Sequence, residues 1–493
     1  MDYAGLLEAS GLTAQKLLTA GVRKGRHVAL LMNDGPRQVE LLFALWRIGA
    51  VPVPLCTSLT LPELEKNLRL ADAEMLLIDD ECRGVSFPAL CRELTAVARE
   101  QILTVGPLGA AEYAALSALT PAAEEALETA EGAVTPEDDD LILFTSGSTG
   151  SSKPVLTSHF SRVNTMLAQA AALDADENDR FCSVLPMYHC FSLTAVVLAA
   201  LAVGACLCFP PSRHTADILD TIEKERCTVL TAVPTLFSAL LRRQKEQRAD
   251  IRSLRTGMIG GSHYPAAFFQ QICAELDYAL LPSLGQTEAT AGITSGSVAD
   301  SLALRSETIG KPFPGVSVCI RAQDGSEQPR GQAGELCIRG FNVMRGYYRQ
   351  PEATREVLDR EGWLHTRDMA RLDAQGFLRY AGRLKELIIR GGENIYPGEL
   401  EEILLTDPRI ADCRVLGVPD PHYMEEVCAC VVARETMTAE EVRGLLRERV
   451  SYFKIPRYVL FFDALPLLPS GKPDRRKLAA LVETRLLEHT EST

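Results

Sequence analysis

Between Leu143 and Pro154 the chain reads LFTSGSTGSSKP, six Ser or Thr, two Gly and one Lys in twelve residues, directly after the apolar run Leu141 to Phe144. Small hydroxyls and glycines let backbone N–H groups approach an anion, and a terminal lysine adds a point charge, so phosphate is the first chemistry such a loop suggests. The spacing of Gly147, Gly150 and Lys153 is G-x-x-G-x-x-K, which is not the P-loop pattern. Taken alone, the stretch reads equally well as a turn or linker. Other short stretches pose the same question. Thr287 and Glu288 in LGQTEAT set a hydroxyl beside a hard anionic carboxylate suited to Mg²⁺. Asp368 in GWLHTRDMA is an acceptor-only group when ionised, His189 in LPMYHCF is a titratable ring in apolar text, and Lys472 in PSGKPDRRKL is a mobile cation near the C-terminus. Each also has a plain reading: a turn Asp, a core His, a solvated loop.

The surrounding text must position these groups. RHVALLM, RQVELLFALWRIGA and VPVPL read as strand, helix, strand between Lys24 and Leu55, and the alternation recurs to about Ser306. This predicts a large, mostly parallel sheet system covered by helices, with ligand loops, the Ser/Thr/Gly loop among them, at the carboxyl ends of its strands. Beyond Ser306 shorter strands with more Gly, Pro and Arg predict antiparallel hairpins, and Glu386 to about Lys477 reads as a small α+β unit. Phe191 to Phe209 carries no charge but divides into a buried helix ended by Gly204 and a strand stopped by Pro210-Pro211, so no membrane span is expected.

Lys plus Arg number 51 against 65 Asp plus Glu, a net charge of −14, with no dense basic block, which argues against nucleic acid as a partner. Fourteen cysteines are scattered, apart from the C-x-C pairs Cys206/Cys208 and Cys428/Cys430, without zinc-finger spacing. Unpatterned thiols and an N-terminus without a basic region and apolar core predict a cytoplasmic protein.

Taken in order, the Ser/Thr/Gly loop, LGQTEAT, GWLHTRDMA, GRLKELIIRGGENIYPGELE and PSGKPDRRKL resemble the signature set of the adenylate-forming enzymes, in particular their acyl- and aryl-CoA synthetase branch. The resemblance covers nearly the whole chain, although such enzymes usually carry further residues before DYAGLLEASG. It implies that a carboxylate attacks the α-phosphorus of ATP, that pyrophosphate leaves, and that a thiol opens the acyl-adenylate. It assigns Thr145, Ser146, Gly147, Ser148, Thr149, Gly150 and Lys153 to the departing phosphates, and Gly260, Gly261, Ser262, Leu284, Gly285 and Gln286 to the nucleotide and acyl-adenylate. Asp368 would take the ribose hydroxyls and Arg383 the ribose or phosphate; Glu288 would hold Mg²⁺ with Thr287 beside it. His189 would lie at the carboxylate end of the acyl channel, Lys472 would bridge carboxylate and α-phosphate, Lys385 would be a hinge, and Gly391-Gly392 would flank the pantetheine arm of CoA. Departures fall at Ser152 and Pro154 beside the loop lysine, at Leu284 where an aromatic residue is usual, and at Arg367 where glycine is common.

The resemblance thus implies an α/β fold: a large N-terminal domain, 1–383, of mostly parallel sheets with a β-barrel-like subdomain, and a small mobile α+β C-terminal domain, 384–493. Amino-acid-activating relatives pair the substrate ammonium with an Asp near the His189 region, yet Phe181 to Ser212 contains no acid, so an uncharged fatty or aromatic acyl group is expected. No carrier-protein serine motif follows Lys472 before Thr493, which favours free CoA as acceptor. A separate acyl-carrier protein as acceptor, or a nucleotide-binding relative that has lost catalysis, are the alternative readings.

Overall fold

Strand His27–Leu31, helix Pro36–Arg47 and strand Val51–Pro54 form the first β-α-β unit, with the strands parallel and His27 opposite Val51. The coordinates are a computed structural model describing residues 1–493 except 83, 107–111, 146–152, 263, 391–392, 396, 421–422, 448, 451, 469–472 and 491–493. Both strands are buried along their whole length, as parallel strands covered on two faces must be, and this explains their unbroken apolar text. They sit in a five-stranded parallel sheet with Met75–Ile78, Ile102–Thr104 and Ala114–Ala115.

A second sheet repeats the scheme. Cys206–Cys208, Arg180–Cys182, Val229–Leu230, Thr256–Ile259 and Ala279–Leu284 run parallel in that order, and Thr294–Ser295 and Lys311–Pro312 extend it antiparallel. Its helices, Thr215–Glu225, Pro234–Gln247 and Ala266–Leu276, bury Ile218, Phe237 and Phe269 against it. The apolar stretch that begins at Phe191 is helical from Cys190 to Ala202 with a π-helical segment, Leu193–Leu198, inside it. Gly204 then takes φ +75° and the chain enters strand Cys206–Cys208. Among the described residues no helix is long and apolar enough to cross a membrane.

The Ser/Thr/Gly loop is differently placed from the sequence expectation. The strand before it, Asp139–Phe144, does not feed a parallel crossover: it pairs antiparallel with Pro154–Ser158, which pairs in turn with Gly346–Tyr347. The loop is therefore a hairpin connection closed by Phe144 opposite Pro154. A short apolar run states that a strand is buried but not the direction of its partner.

From Val316 the antiparallel hairpins appear as expected, in a four-stranded sheet ordered Val316–Arg321, Ala333–Gly340, Leu364–Leu372 and Leu378–Arg383. One face packs Val316, Ile320, Leu336, Ile338 and Leu364 into a core shared with Val155 and Phe313. The last segment has its own sheet, Glu393–Ile395, Ile388–Arg390, Met424–Ala433 and Ile410–Asp420, with Tyr458–Phe461 parallel to Met424–Ala433. Cys428 and Cys430 alternate on a buried face with Val418 and Leu460, and all fourteen cysteines are unbridged.

Candidate active site

A buried polar network anchors the hairpin that carries the loop. Asp140 and Arg162, 0% and 4% exposed, pair at 2.8 Å, and Thr157 Oγ1 donates to Asp140 Oδ1 at 2.5 Å. Arg162 also donates to Thr157 Oγ1 and, through Nη1, to Thr194 Oγ1 in the π-helical segment, each at 2.7 Å. A charge pair excluded from water persists only when its remaining hydrogen-bonding capacity is also met, and here both strands of the hairpin and two helices supply the partners. At the neck of the loop Thr145 N donates to Lys153 O at 3.1 Å.

Lys153 and Glu288 both contact Tyr347. Lys153 Nζ lies 4.7 Å from the Tyr347 ring centroid, and Tyr347 Oη donates to Glu288 Oε1 at 2.8 Å. Burial, then the Glu288 charge, pushes the Tyr347 phenol well above its ordinary pKa, so it remains a donor. Glu288 sits in the short 3₁₀ turn Thr287–Ala289, and its carbonyl accepts from Met344 N at 2.9 Å. The turn is tightly wound: Gln286 O accepts from both Ala289 N and Ala291 N, Thr290 and Ala291 have φ of +50° and +87°, and a Cβ on Gly285 would lie 1.6 Å from Ala291 O. Positive φ at two successive non-glycine residues stores strain of the kind found at functional sites.

Thr287 Oγ1 approaches Cys190 Sγ at 3.6 Å, which brings the Thr287–Glu288 turn against the segment holding His189. Gly260 closes the same corner, since a Cβ there would be 2.8 Å from Ser283 O and 3.5 Å from the Phe191 ring; Gly261 has φ +86° and Ser262 is half-buried. His189 itself is half-buried, lies tilted at 52° against the Tyr188 ring with 4.6 Å between centroids, and donates its backbone N–H to Pro186 O. The absence of acid from 181–212 is offset in space, because Asp34 Oδ1 accepts from Met187 N at 2.8 Å. Asp34 is in turn ion-paired with Arg213, so its charge is already matched. Leu284 packs partly buried against the core that holds Val155 and Phe313.

The second group lies on adjacent strands. Asp368, 2% exposed, and Arg383 are register partners, with Arg383 Nε 3.0 Å from Asp368 Oδ1. The carboxylate raises the Arg383 pKa, and burial, reinforced by Asp368, raises that of the Tyr380 phenol. Arg367 occupies the left-handed region at φ +62°, donates its N–H to Glu335 Oε1 at 3.1 Å and reaches Glu356 O with its guanidinium. Its side chain therefore turns away while its backbone adopts the conformation a glycine takes readily. Lys385 lies in the turn Leu384–Glu386, and Glu386 pairs at 2.9 Å with Arg475 of the last helix, which also meets Glu401 at 3.3 Å. Burial pushes the Glu386 carboxyl up against the pull of Arg475. Ser146, Gly147, Ser148, Thr149, Gly150, Gly391, Gly392 and Lys472 lie outside the described residues.

Sequence reasoning did not find Tyr347, Asp34, Arg213 or the Asp140–Arg162 pair. Arg162 is preceded by an ordinary helix start, and Tyr347 stands in MRGYYR with no spacing that connects it to Glu288. The one available signal was the pair of adjacent acids, Asp139-Asp140, directly ahead of a buried strand core.

This mixed parallel and antiparallel α/β fold, with Lys153 at the end of a glycine- and hydroxyl-rich run and Glu288 both in contact with Tyr347, defines an adenylate-forming class of protein. The chain belongs to the AMP-binding enzyme family, whose main domain matches residues 1–348 and whose C-terminal domain matches residues 399–472. It is 35% identical to the protein YngI of Bacillus subtilis, over 94% of this chain and 89% of the other. It is 33% identical to a feruloyl-CoA synthase of an Amycolatopsis species, over 96% and 92%. The crystal structure of ATP-bound MatB from Rhodopseudomonas palustris superposes with a TM-score of 0.83 at 28% identity, covering 97% of this chain and 93% of that one.

Proposed function

We propose that this chain is an AMP-forming carboxylic acid–CoA ligase acting on an uncharged fatty or aromatic acid. The observation that carries the reading is the line Lys153–Tyr347–Glu288, which sets a cation at the neck of the hydroxyl-rich loop over the ring of one phenol and a carboxylate on its hydroxyl. In the first half-reaction a carboxylate oxygen bonds to the α-phosphorus of ATP as the bond to pyrophosphate breaks. In the second, the CoA sulfur bonds to the acyl carbon, AMP leaves and the thiol proton passes to solvent. Negative charge gathers on phosphate oxygens in the first step, so preorganised donors and cations are what the site must supply.

In this reading Lys153 and the loop hydroxyls receive the departing pyrophosphate, and Thr287 donates to the reacting carboxylate or α-phosphate. Glu288, half-buried and oriented by Tyr347 Oη, fits Mg²⁺ as a single hard oxygen donor, and the metal when bound would neutralise phosphate charge. Asp368, held by Arg383 on the neighbouring strand, accepts from the ribose hydroxyls. His189, on a segment fixed through Met187 N to Asp34, borders the acyl group. Because Arg213 neutralises Asp34, no uncompensated carboxylate awaits a substrate ammonium there, which supports an uncharged acyl group. Lys472 is assigned the α-phosphate, Lys385 the pivot between domains 1–383 and 384–493, and Gly391-Gly392 the pantetheine arm, all on the sequence resemblance. A cytoplasmic location and free CoA rather than a carrier protein complete the proposal.

The test is a panel of fatty and aromatic acids assayed for ATP-dependent thioester with CoA and with a holo-carrier protein, reading AMP and pyrophosphate. Thioester with CoA and stoichiometric AMP is expected. ADP as product, or no pyrophosphate with any acid, would overturn the reading.

A further inference from the structure

The outer face of the four-stranded antiparallel sheet carries a row of donor atoms that the ligase chemistry does not use. Cys319, Cys337 and His365 lie on three adjacent strands in direct register, Cys319 opposite Cys337 and Cys337 opposite His365. Because alternate residues of these strands fill the core, all three project to the other face, together with Glu335. His365 Nδ1 lies 3.5 Å from Cys337 Sγ and 2.9 Å from Glu335 Oε2. Ligand atoms of Glu335, Cys337 and His365 all fall within 4.8 Å of one another, a set that does not include Cys319, which neighbours Cys337 by strand register. His365 Nδ1 is thus shared between a thiol and a carboxylate, and the three ligand atoms could equally share a cation placed among them. Asp359 Oδ2 stands 3.7 Å from Nε2 on the far side of the same ring, while its Oδ1 accepts from Glu361 N and Trp363 N. Asp359 Oδ2 also lies 3.5 Å from Arg321 Nη2; were it to close to hydrogen-bond distance on the histidine, it would hold the tautomer that leaves Nδ1 to a metal. Beside the row opens a cleft of about 490 Å³ lined by Cys319, Arg321, Asp359 and Trp363.

We infer that Glu335, Cys337 and His365, joined by Cys319 from the adjacent strand, form a binding site for a zinc-class divalent cation. Two sulfurs, one imidazole nitrogen and one carboxylate oxygen are a tetrahedral donor set that favours zinc over magnesium or calcium. Binding releases the two thiol protons to solvent, leaving three anionic ligands around a double charge, with the Arg321–Asp359 pair, 3.5 Å apart, beside them. The site is coupled to the strand that carries Asp368. Glu335 uses its other oxygen, Oε1, to hold the Arg367 N–H, and Thr366 Oγ1 donates to Leu336 O at 2.6 Å. A cation on Oε2 therefore fixes the carboxylate that keeps Arg367 in its left-handed conformation beside Asp368.

The experiment uses the full chain, stripped with chelator under reducing conditions and titrated with Co²⁺, then with Zn²⁺ against a chromophoric chelator. Expected are one equivalent of tight binding, thiolate-to-cobalt charge-transfer bands with the intense visible absorption of a tetrahedral ion, and displacement by zinc. Cys319→Ser and His365→Gln should abolish the tetrahedral spectrum, and Asp359→Asn should weaken affinity by about 10- to 100-fold while keeping it. Should Cys319→Ser fail to fold, His365→Gln alone serves instead, with the tetrahedral spectrum expected to be lost. Absence of a stoichiometric tetrahedral spectrum, its survival in His365→Gln or in the Cys319→Ser/His365→Gln variant, or a Cys319–Cys337 disulfide that forms despite bound zinc would overturn the inference.

Discussion

Glu288 and Tyr347 divide the work of one carboxylate between a charge and its orientation. Glu288→Gln keeps the shape but removes the charge, and losing one charge-assisted contact in the transition state costs on the order of 3 kcal/mol, about a hundredfold in rate. Acid-dependent pyrophosphate exchange should fall by about that factor at every Mg²⁺ concentration; exchange near the unaltered level would remove the metal role. Tyr347→Phe leaves the charge and deletes the 2.8 Å bond, so a smaller loss is expected, partly restored by raising Mg²⁺. His189→Ala should change the order of preferred acids more than the KM for ATP, since its segment meets Thr287 and Gly260 rather than the loop lysine. An unaltered acid profile with a large loss of ATP binding would reverse that assignment. Glu288, Asp368 and His189 could be nominated from the sequence because each sits in a short run whose order along the chain carries information, and their roles remain the proposal that these variants test. Tyr347 and Asp34 could not, because a phenol or carboxylate that acts across the fold leaves no periodicity at its own position.

At the scale of elements, the hairpin holding the loop depends on a charge pair with almost no contact with water. Arg162→Leu would leave Asp140 buried without a cation, at a cost of about 3–5 kcal/mol, whereas Asp140→Leu combined with Arg162→Met should lose less than that single change. Urea unfolding of the two variants checks the order, and a single variant as stable as the parent would show the pair to be dispensable. The alternation of strand and helix to about residue 300 was readable because parallel strands are apolar throughout and their crossovers follow a 3.6 period. Pairing direction was not, and so the loop was expected at the end of a parallel strand when it closes an antiparallel hairpin. The π-helical segment Leu193–Leu198 was likewise invisible, since its residues are uniformly apolar and any helical period fits them. Its Thr194 receives Arg162, which ties the loop hairpin to the helix that begins beside His189.

The whole molecule must run two reactions at one place, and the proposal gives the C-terminal segment a part in both. By the sequence resemblance, Lys472 serves the α-phosphate and Gly391-Gly392 the pantetheine arm, and both belong to the segment after the turn Leu384–Glu386. One small domain cannot readily offer a long lysine and a glycine turn to the same site in one pose, and rotation at Lys385 would let them alternate, a gating role. The described contacts show what such rotation must respect: Arg475 spans Glu386 and Glu401, so the last helix is fastened to the C-terminal side of the pivot and should travel with it. Lys472→Ala should therefore lower adenylate formation about a hundredfold while a supplied acyl-adenylate is converted to thioester at a nearly normal rate. Lys385→Pro fixes φ near −65° and removes a donor at the pivot, so it should spare adenylation and slow thioester release. Quenched-flow measurement of each half-reaction separates the two. Equal losses in both steps for both variants would mean that the domain does not alternate, and Lys472 and Gly391-Gly392 would then have to act from a single arrangement.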